Sequence, residues 1–480
     1  MNRITNLALW ILSIGTITCL VLPGLFMDGM FTDGIQYTCV SKNLSNGLGS
    51  FWFPFVSETW GKEGGSFFLE QPPLLYGLQA PFFKILGDSM YTERIYIFIT
   101  LIINALLIIQ IWRYIAPDRF KKYGWLPLIF WISIPLTNWT FKHNMQENTM
   151  MIFTSASIYF GIQSLFSQNK NYFYAFLAGI FIFLASFTKG IPGLFPLSMA
   201  IIAWITHKNF SLYKALLLTS IFVLTPIAIY VFLMLSSESA MESIQFYINS
   251  RLLVRVDSNP VVNNRFYILE RLILELLPGI AVASLLLLGN KRSHKKILPE
   301  DSLIRNALFF FILGLAGSLP LMLTLVQRGF YMTISFPPFA IAFSLLSIKA
   351  VINLFSYIKM KRARVFLSVS SILLLSGIIL TLLLAGKPKR NKDVLSDVYT
   401  FSEHTTPYTT LGCDRFTFDD WHFQFYMIRY NDVYLNYTKT ESPLFYIAKK
   451  KEKLNIPGTY EKLAIPTEKY DLYKRTSTMH

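Results

Sequence analysis

Residues 7–37 read LALWILSIGTITCLVLPGLFMDGMFTDGIQY. Positions 7–26 carry no Asp, Glu, Lys or Arg, and an uncharged apolar run of that length is what an α-helix needs to cross ~30 Å of hydrocarbon. One basic residue, Arg3, precedes the run, and Pro23-Gly24-Leu25 leads into Phe26-Met27 without a small-x-small cleavage site. It reads as a retained signal-anchor helix. At its end the composition turns abruptly to acids, glycines and aromatics, among them Asp28, Asp33 and Tyr37.

The pattern repeats along the chain. Apolar segments recur at about 91–115, 124–139, 150–166, 172–187, 190–205, 213–235, 269–288, 303–326, 330–348 and 365–385, which with the first makes eleven predicted spans. A chain of 480 residues that is 53% hydrophobic and 15% charged has too little polar surface to clothe ordinary soluble domains. Lipid must cover part of it, and the expected fold is an all-α polytopic membrane protein. The stretch 27–90 is too polar to span and is expected to form an ordered external loop with interfacial helices. Residues 387–480 are rich in Tyr, Thr, Lys and Asp, with short alternating runs at 423–430 and 433–437, and predict a small mixed α/β or β domain. The expected organisation is therefore a membrane domain over 1–386, with external loops at 27–90 and 236–270, and an extracytoplasmic domain over 387–480.

Lys and Arg number 44 against 28 Asp and Glu, a net charge of +16. Most of the excess lies in alternate short loops, so it fixes topology and meets anionic lipid, and nucleic acid is not the expected partner. One set of loops holds Arg113, Arg119, Lys121 and Lys122; Lys170; Lys208; Lys291, Arg292, Lys295 and Lys296; and Lys359, Lys361, Arg362 and Arg364. That set is assigned to the cytoplasm, and the opposite set, with the tail, to the periplasm or exterior of a cell inner (plasma) membrane. Lys387, Lys389, Arg390 and Lys392 follow the last span on the side assigned as external, against the rule. Cys19, Cys39 and Cys413 have no metal-ligand spacing. The sequence contains no Gly-rich nucleotide loop, which argues against a nucleotide-driven pump.

Charge on the outer side gathers at the ends of spans, where it is costly and often functional. Asp33 and Tyr37 follow the first span, and an acid there has a general base's chemistry; it equally suits a loop acid or helix cap. Glu70-Gln71-Pro72-Pro73 breaks the chain before an interfacial helix and exposes backbone donors; it also fits a turn that only sets the loop's path. Glu147 opens a later span, as an acid favoured by the helix dipole would. Lys189, in Thr188-Lys189-Gly190, fits a lipid phosphate or simple snorkelling. Arg328, with Tyr331 and Pro337-Pro338 beyond it, offers the forked donors that phosphate favours. Asp28 lacks a Tyr four residues on and is expected to be a surface acid whose amide variant is nearly silent.

The order of these clusters resembles the GT-C superfamily of membrane glycosyltransferases, specifically the protein O-mannosyltransferase and lipid A aminoarabinose transferase type. The resemblance covers residues 1–350 through Asp33…Tyr37, Glu70-Gln71-Pro72-Pro73, Glu147, Thr188-Lys189-Gly190 and Arg328…Tyr331. Two basic positions of that family are replaced, by Gln36 and Gln71, so the charge must come from Lys189, Arg328 and the loop arginines Arg251, Arg255 or Arg265. The resemblance implies a polyprenyl-phosphate-linked hexose or pentose as donor. The acceptor would be a glycolipid, glycan or protein hydroxyl in the cell envelope, as in lipopolysaccharide modification. Asp33 is the implied base of an inverting displacement, and Lys189, Arg328, Tyr331 and Arg265 the implied donor-phosphate contacts. Glu147, the second implied catalytic residue, would position the acceptor or orient the first loop; Tyr37, Glu70 and Gln71 would position acceptor or loop. No cofactor is required, and Glu70 is the one carboxylate set aside for a divalent metal. A ligase or polymerase using a lipid diphosphate, and a non-catalytic flippase or transporter, are the alternatives. A transporter usually keeps its ionisable residues at the bilayer midplane, whereas here they lie at span ends.

Overall fold

The computed structural model describes residues 1–58, 65–167, 171–208, 210–253, 260–292, 300–437, 443–450 and 460–476. Among the described residues nine helices are long and apolar enough to cross a membrane. They are α1 (Arg3–Phe26), α2 (Thr92–Ile115), α3 (Gln146–Phe166), α4 (Asn171–Lys189), α5 (Leu212–Ser236), α6 (Tyr267–Gly289), α7 (Asp301–Leu323), α8 (Gly329–Ser356) and α9 (Met360–Leu384). The other two predicted segments are helical but broken. The segment at 124–139 divides into Trp125–Ser133 and Pro135–Phe141, with Ile134 extended (φ −74°, ψ 116°), because a proline pushes the residue before it out of helical geometry. The segment at 190–205 begins as a tight 3₁₀ helix, Ile191–Ser198, containing Pro192 and Pro196, and continues as Met199–Thr206. The protein is a multi-pass membrane protein.

The chain divides into two compact units. The membrane unit comprises Met1–Leu25, Glu70–Leu74 and Ile97–Leu383. Its centre is built on α3 and α8, whose apolar windows are 72% and 67% buried, whereas α5 and α9, at 22% and 17%, leave most of theirs to lipid. Close helix approach replaces hydrophobic drive where both solvents are apolar. A Cβ on Gly179 of α4 would come within 2.5 Å of Thr225 of α5. Asn104 of α2 donates to its own helix at Thr100 (2.9 Å) and across to Asn148 of α3 (2.9 Å).

The second unit comprises Phe26–Leu69, Leu75–Tyr96 and Leu384–His480, so most of the stretch 27–90 packs with the tail. Its sheet runs β2-β1-β3-β5-β4, from β1 (Thr410–Cys413), β2 (Tyr434–Asn436), β3 (Phe445–Lys449), β4 (Tyr460–Lys462) and β5 (Tyr470–Arg475). β1 pairs parallel with β2 and β3, and β5 antiparallel with β3 and β4. The alternating run at 433–437 yields β2, but that at 423–430 lies in the helix Trp421–Asn431. Phe423 through Arg429 are buried without interruption, so the segment shows no polar stripe by which a 3.6-residue period could be read. Asp420 caps this helix by accepting from the Phe423 amide at 3.4 Å.

Asp28 departs most from its expected role. It is 1% exposed, and its carboxylate accepts from the Gly29 amide (2.7 Å), the Tyr399 and Tyr430 hydroxyls (2.5 and 2.6 Å) and Arg94 (3.3 Å). Arg94 also pairs with Glu93 (2.8 Å); Arg429 takes Glu93 and Asp88 (2.9 and 2.5 Å), and Lys42 takes Asp88 and Asp432 (2.6 and 2.9 Å). Asp28 is a node of a buried ionic network and not a surface acid. The three cysteines are free thiols.

Candidate active site

Asp33 lies in the first turn of the helix Thr32–Ser45, where the dipole favours a carboxylate. It is half-buried, while Tyr37, one turn on, is 2% exposed and packs against Tyr76 at a ring separation of 6.3 Å. The helix lies along Trp421–Asn431, joined by Cys39 Sγ donating to the Phe425 carbonyl (3.1 Å) and Lys42 Nζ to that of Arg429 (2.8 Å). At their shared end Thr32 Oγ1 is 2.5 Å from His422 Nε2.

Asp33, Thr32, His422, Asp419, Asp420 and Lys449 line an open cleft of about 510 Å³, with Phe416 and Trp421 beside them. Burial pushes the His422 pKa below the ordinary histidine value; Arg390 and Lys469 add to the effect, and Asp420 and Asp33 oppose it. The imidazole is therefore neutral at pH 7 and can accept a hydrogen bond or a proton. Burial would raise the Asp420 carboxyl, but bonds from the Tyr470 hydroxyl (2.6 Å) and Lys469 (3.0 Å) outweigh it and hold the pKa below the usual carboxylate value. The sequence reading did not single out His422; the signal was present in Asp419-Asp420-Trp421-His422, an acid-aromatic cluster like those found elsewhere.

The remaining predicted residues belong to the membrane unit. Glu147, in the first turn of α3, and Lys189, at the end of α4, are 0% and 6% exposed and form an ion pair of 2.6 Å. The Lys189 ammonium also lies 4.9 Å from the Tyr331 ring centre and 5.5 Å from that of Phe330, distances at which a ring quadrupole attracts a cation. Gln146 donates to the Thr188 carbonyl and fixes the same junction. Gly190 turns the chain at φ +83°, and a Cβ there would overlap the Tyr247 hydroxyl.

Arg328 and Arg265 are exposed, and Gln327 ties their loops together. Its side chain donates to the Arg265 carbonyl (3.0 Å) and accepts from the Ile268 amide (3.0 Å). Glu70 pairs with Arg251 at 2.7 Å, both partly exposed, and Gln71 is half-buried. Arg255 lies outside the described residues. Among the described residues no three His, Cys, Asp or Glu side chains converge as a metal site. Arg271 and Glu275, paired at 2.6 Å, were passed over because they fall inside an apolar segment. Buried Glu275 also accepts from the Leu136 amide at 2.7 Å, and Arg271 lies against Gly329. Charges inside a predicted span were the available signal.

No protein-family model matches the chain, and no curated protein sequence does. Solved structures match it along its length. ArnT from Cupriavidus metallidurans bound to undecaprenyl phosphate has a TM-score of 0.62 at 12% identity, covering 98% of this chain and 97% of that one. The fold is that of ArnT. The apo state of ArnT gives 0.60 at 12% identity, covering 97% of this chain and 96% of that one. The oligosaccharyltransferase of Archaeoglobus fulgidus, in complex with zinc and sulfate, gives 0.52 at 12% identity, covering 92% of this chain and 68% of that one. The likeness to ArnT thus extends past residue 350, where the sequence resemblance ended, and into the tail.

Proposed function

We propose that the chain is an integral-membrane glycosyltransferase that moves a sugar from a polyprenyl-phosphate donor to an acceptor hydroxyl on the extracytoplasmic side of a cell inner (plasma) membrane. The observation that carries this reading is Asp33, a half-buried carboxylate just after the first span, lining an open cleft on a chain with the GT-C fold. A fold alone hosts many activities, so the weight rests on this acid. The undecaprenyl phosphate bound to ArnT supports the choice of donor.

Asp33 takes the proton of the acceptor hydroxyl as its oxygen forms a bond to the anomeric carbon. The bond from that carbon to the phosphate oxygen breaks in the same inverting step, and polyprenyl phosphate leaves with the electron pair. Fixed cations that meet the growing charge lower the barrier more than they tighten donor binding. Lys189, Arg328 and Arg265, with Tyr331, are assigned that role. The buried ion pair supports Glu147 as the group that orients Lys189, a more specific task than holding the acceptor. Tyr37, Glu70 and Gln71 shape the loop, and residues 387–480 form an extracytoplasmic domain. The donor sugar is a hexose or pentose, and the acceptor a glycolipid, glycan or protein.

The test is mass spectrometry of polyprenyl-phosphate sugars and envelope glycoconjugates from cells with the wild-type gene, with Asp33→Asn and with no gene. A donor that accumulates and a product that vanishes in both defective strains support the reading. Identical profiles in all three strains overturn it.

A further inference from the structure

Proton removal by Asp33 needs little more than a carboxylate and a partner, yet its cleft is lined by two large exposed aromatic side chains. Trp421 is 50% exposed and Phe416 63%. They flank a short connection that is well fixed: Asp414 accepts from the Thr417 amide (2.9 Å) and hydroxyl (2.7 Å), and the Trp421 amide donates to the Asp419 carbonyl (3.1 Å). Holding apolar rings at the surface in rigid backbone is an arrangement suited to a ligand with an apolar face.

The polar lining narrows the class of that ligand. Asp419 is paired with Arg415 (3.0 Å), and Asp420 with Lys469 (3.0 Å) and the Tyr470 hydroxyl (2.6 Å). Their charge is met from outside the cleft, but carboxylate lone pairs remain for hydroxyl donors. His422, bonded to Thr32, and Lys449 add hydrogen-bonding nitrogens to the lining. The cleft is rich in hydrogen-bonding groups and nearly balanced in charge, and its volume of about 510 Å³ suits a small ligand. A pyranose ring presents weakly positive C–H bonds on its faces, which stack on aromatic rings, and hydroxyls at its rim, which bond to carboxylates and imidazole.

We propose that the cleft formed by Asp33, His422, Phe416 and Trp421 is a saccharide-binding subsite, with the aromatic pair as its stacking wall and His422 and the carboxylates as hydroxyl partners. On the transferase reading above, the bound saccharide is the acceptor. A phosphorylated acceptor fits poorly, because Arg415 and Lys469 are already paired with Asp419 and Asp420 and the lining offers a phosphate one lysine beside the Asp33 carboxylate.

Saturation-transfer NMR on the full chain in lipid nanodiscs tests this with lactose and N,N′-diacetylchitobiose as probes, a Ser/Thr hexapeptide as rival, and inorganic phosphate as competitor. At least one disaccharide should give signal that phosphate does not displace. Trp421→Ala should weaken it roughly three- to tenfold, the range of one aromatic contact, with Phe416→Ala acting in the same direction. Trp421→Phe should restore the signal. The proposal is overturned by signal from the peptide alone, by displacement with phosphate, or by disaccharide signal indifferent to Trp421→Ala. A chain that transfers sugar in cells yet binds neither disaccharide keeps its transferase reading and loses this subsite. Disaccharide binding that depends on Trp421, in a chain whose envelope profile matches the deletion, keeps the subsite and removes the transferase reading.

Discussion

Two aspartates five positions apart, Asp28 and Asp33, illustrate how different tasks follow from surroundings at the residue scale. Asp33 is half-buried at a cleft, so Asp33→Asn should preserve the fold and abolish turnover, because the amide keeps the size of the carboxylate but takes no proton at neutral pH. Near-normal transfer by that variant would show that another group is the base. Asp28→Asn is expected to lower stability by about 3–5 kcal/mol, since it leaves Arg94 short of an anion inside the ionic network; a melting temperature equal to wild type would contradict this. Lys189 and Glu147 call for a double-mutant cycle. Lys189→Ala alone should cost more stability than Lys189→Met combined with Glu147→Gln, because a single truncation strands a buried charge. A double variant whose cost equals the sum of the Lys189→Met and Glu147→Gln costs measured singly would mean that the pair is not coupled. His422 has a lower pKa folded than unfolded, so as pH falls below about 6.5 the unfolded chain takes up the proton first. Stability contributed by this residue is present above that pH and is lost toward the folded value, and His422→Gln should flatten the acid limb of a pH–stability curve.

The apolar segments were legible at the scale of elements because an uncharged run bounded by polar residues has one common structural meaning in lipid. Their internal breaks were less so: Ile134-Pro135 and the prolines at 192 and 196 sit in segments as apolar as the continuous spans. The helix Trp421–Asn431 was misread because tertiary contacts bury its whole circumference, which erases the period on which recognition depends. The bond from Thr32 to His422 joins residues 390 positions apart, and no local pattern announces such a meeting. Gly190, by contrast, stood inside a noticed motif, and its reason is now physical. Gly190→Ala would add a side chain at φ +83° against Tyr247 and should destabilise the α4 junction by about 1–3 kcal/mol. Gly190→Ala with Tyr247→Phe should recover part of that loss, and no recovery would show that backbone strain alone is responsible.

Orientation is a property of the whole molecule, and the basic loops make it testable. Cysteines introduced at Gly64, Ser258 and Thr440 are expected to react with an impermeant reagent added from outside, and one at Ser293 only after permeabilisation; all four positions lie outside the described residues. Labelling at 293 but not at 64 would place Asp33 in the compartment opposite to the one proposed. Composition was enough to read the membrane architecture, and the order of the clusters was enough to read the fold class. The membership of the second unit was not legible, because it joins residues 26–96 to the tail after 384 through partners distant in sequence. That arrangement sets a timetable for synthesis. Asp28 and Tyr430 are separated by 402 positions, and at about 5–20 residues per second the acid emerges roughly 20–80 s before its hydroxyl partner exists. Throughout that interval Asp28, Lys42 and Glu93 have Arg94 and Asp88 as partners but lack Tyr399, Tyr430, Arg429 and Asp432. The N-terminal part of this unit therefore stays incomplete until the tail is made, and a chain stopped before residue 384 would lack the tail's partners for Asp28 and Glu93 and should be more open to proteases.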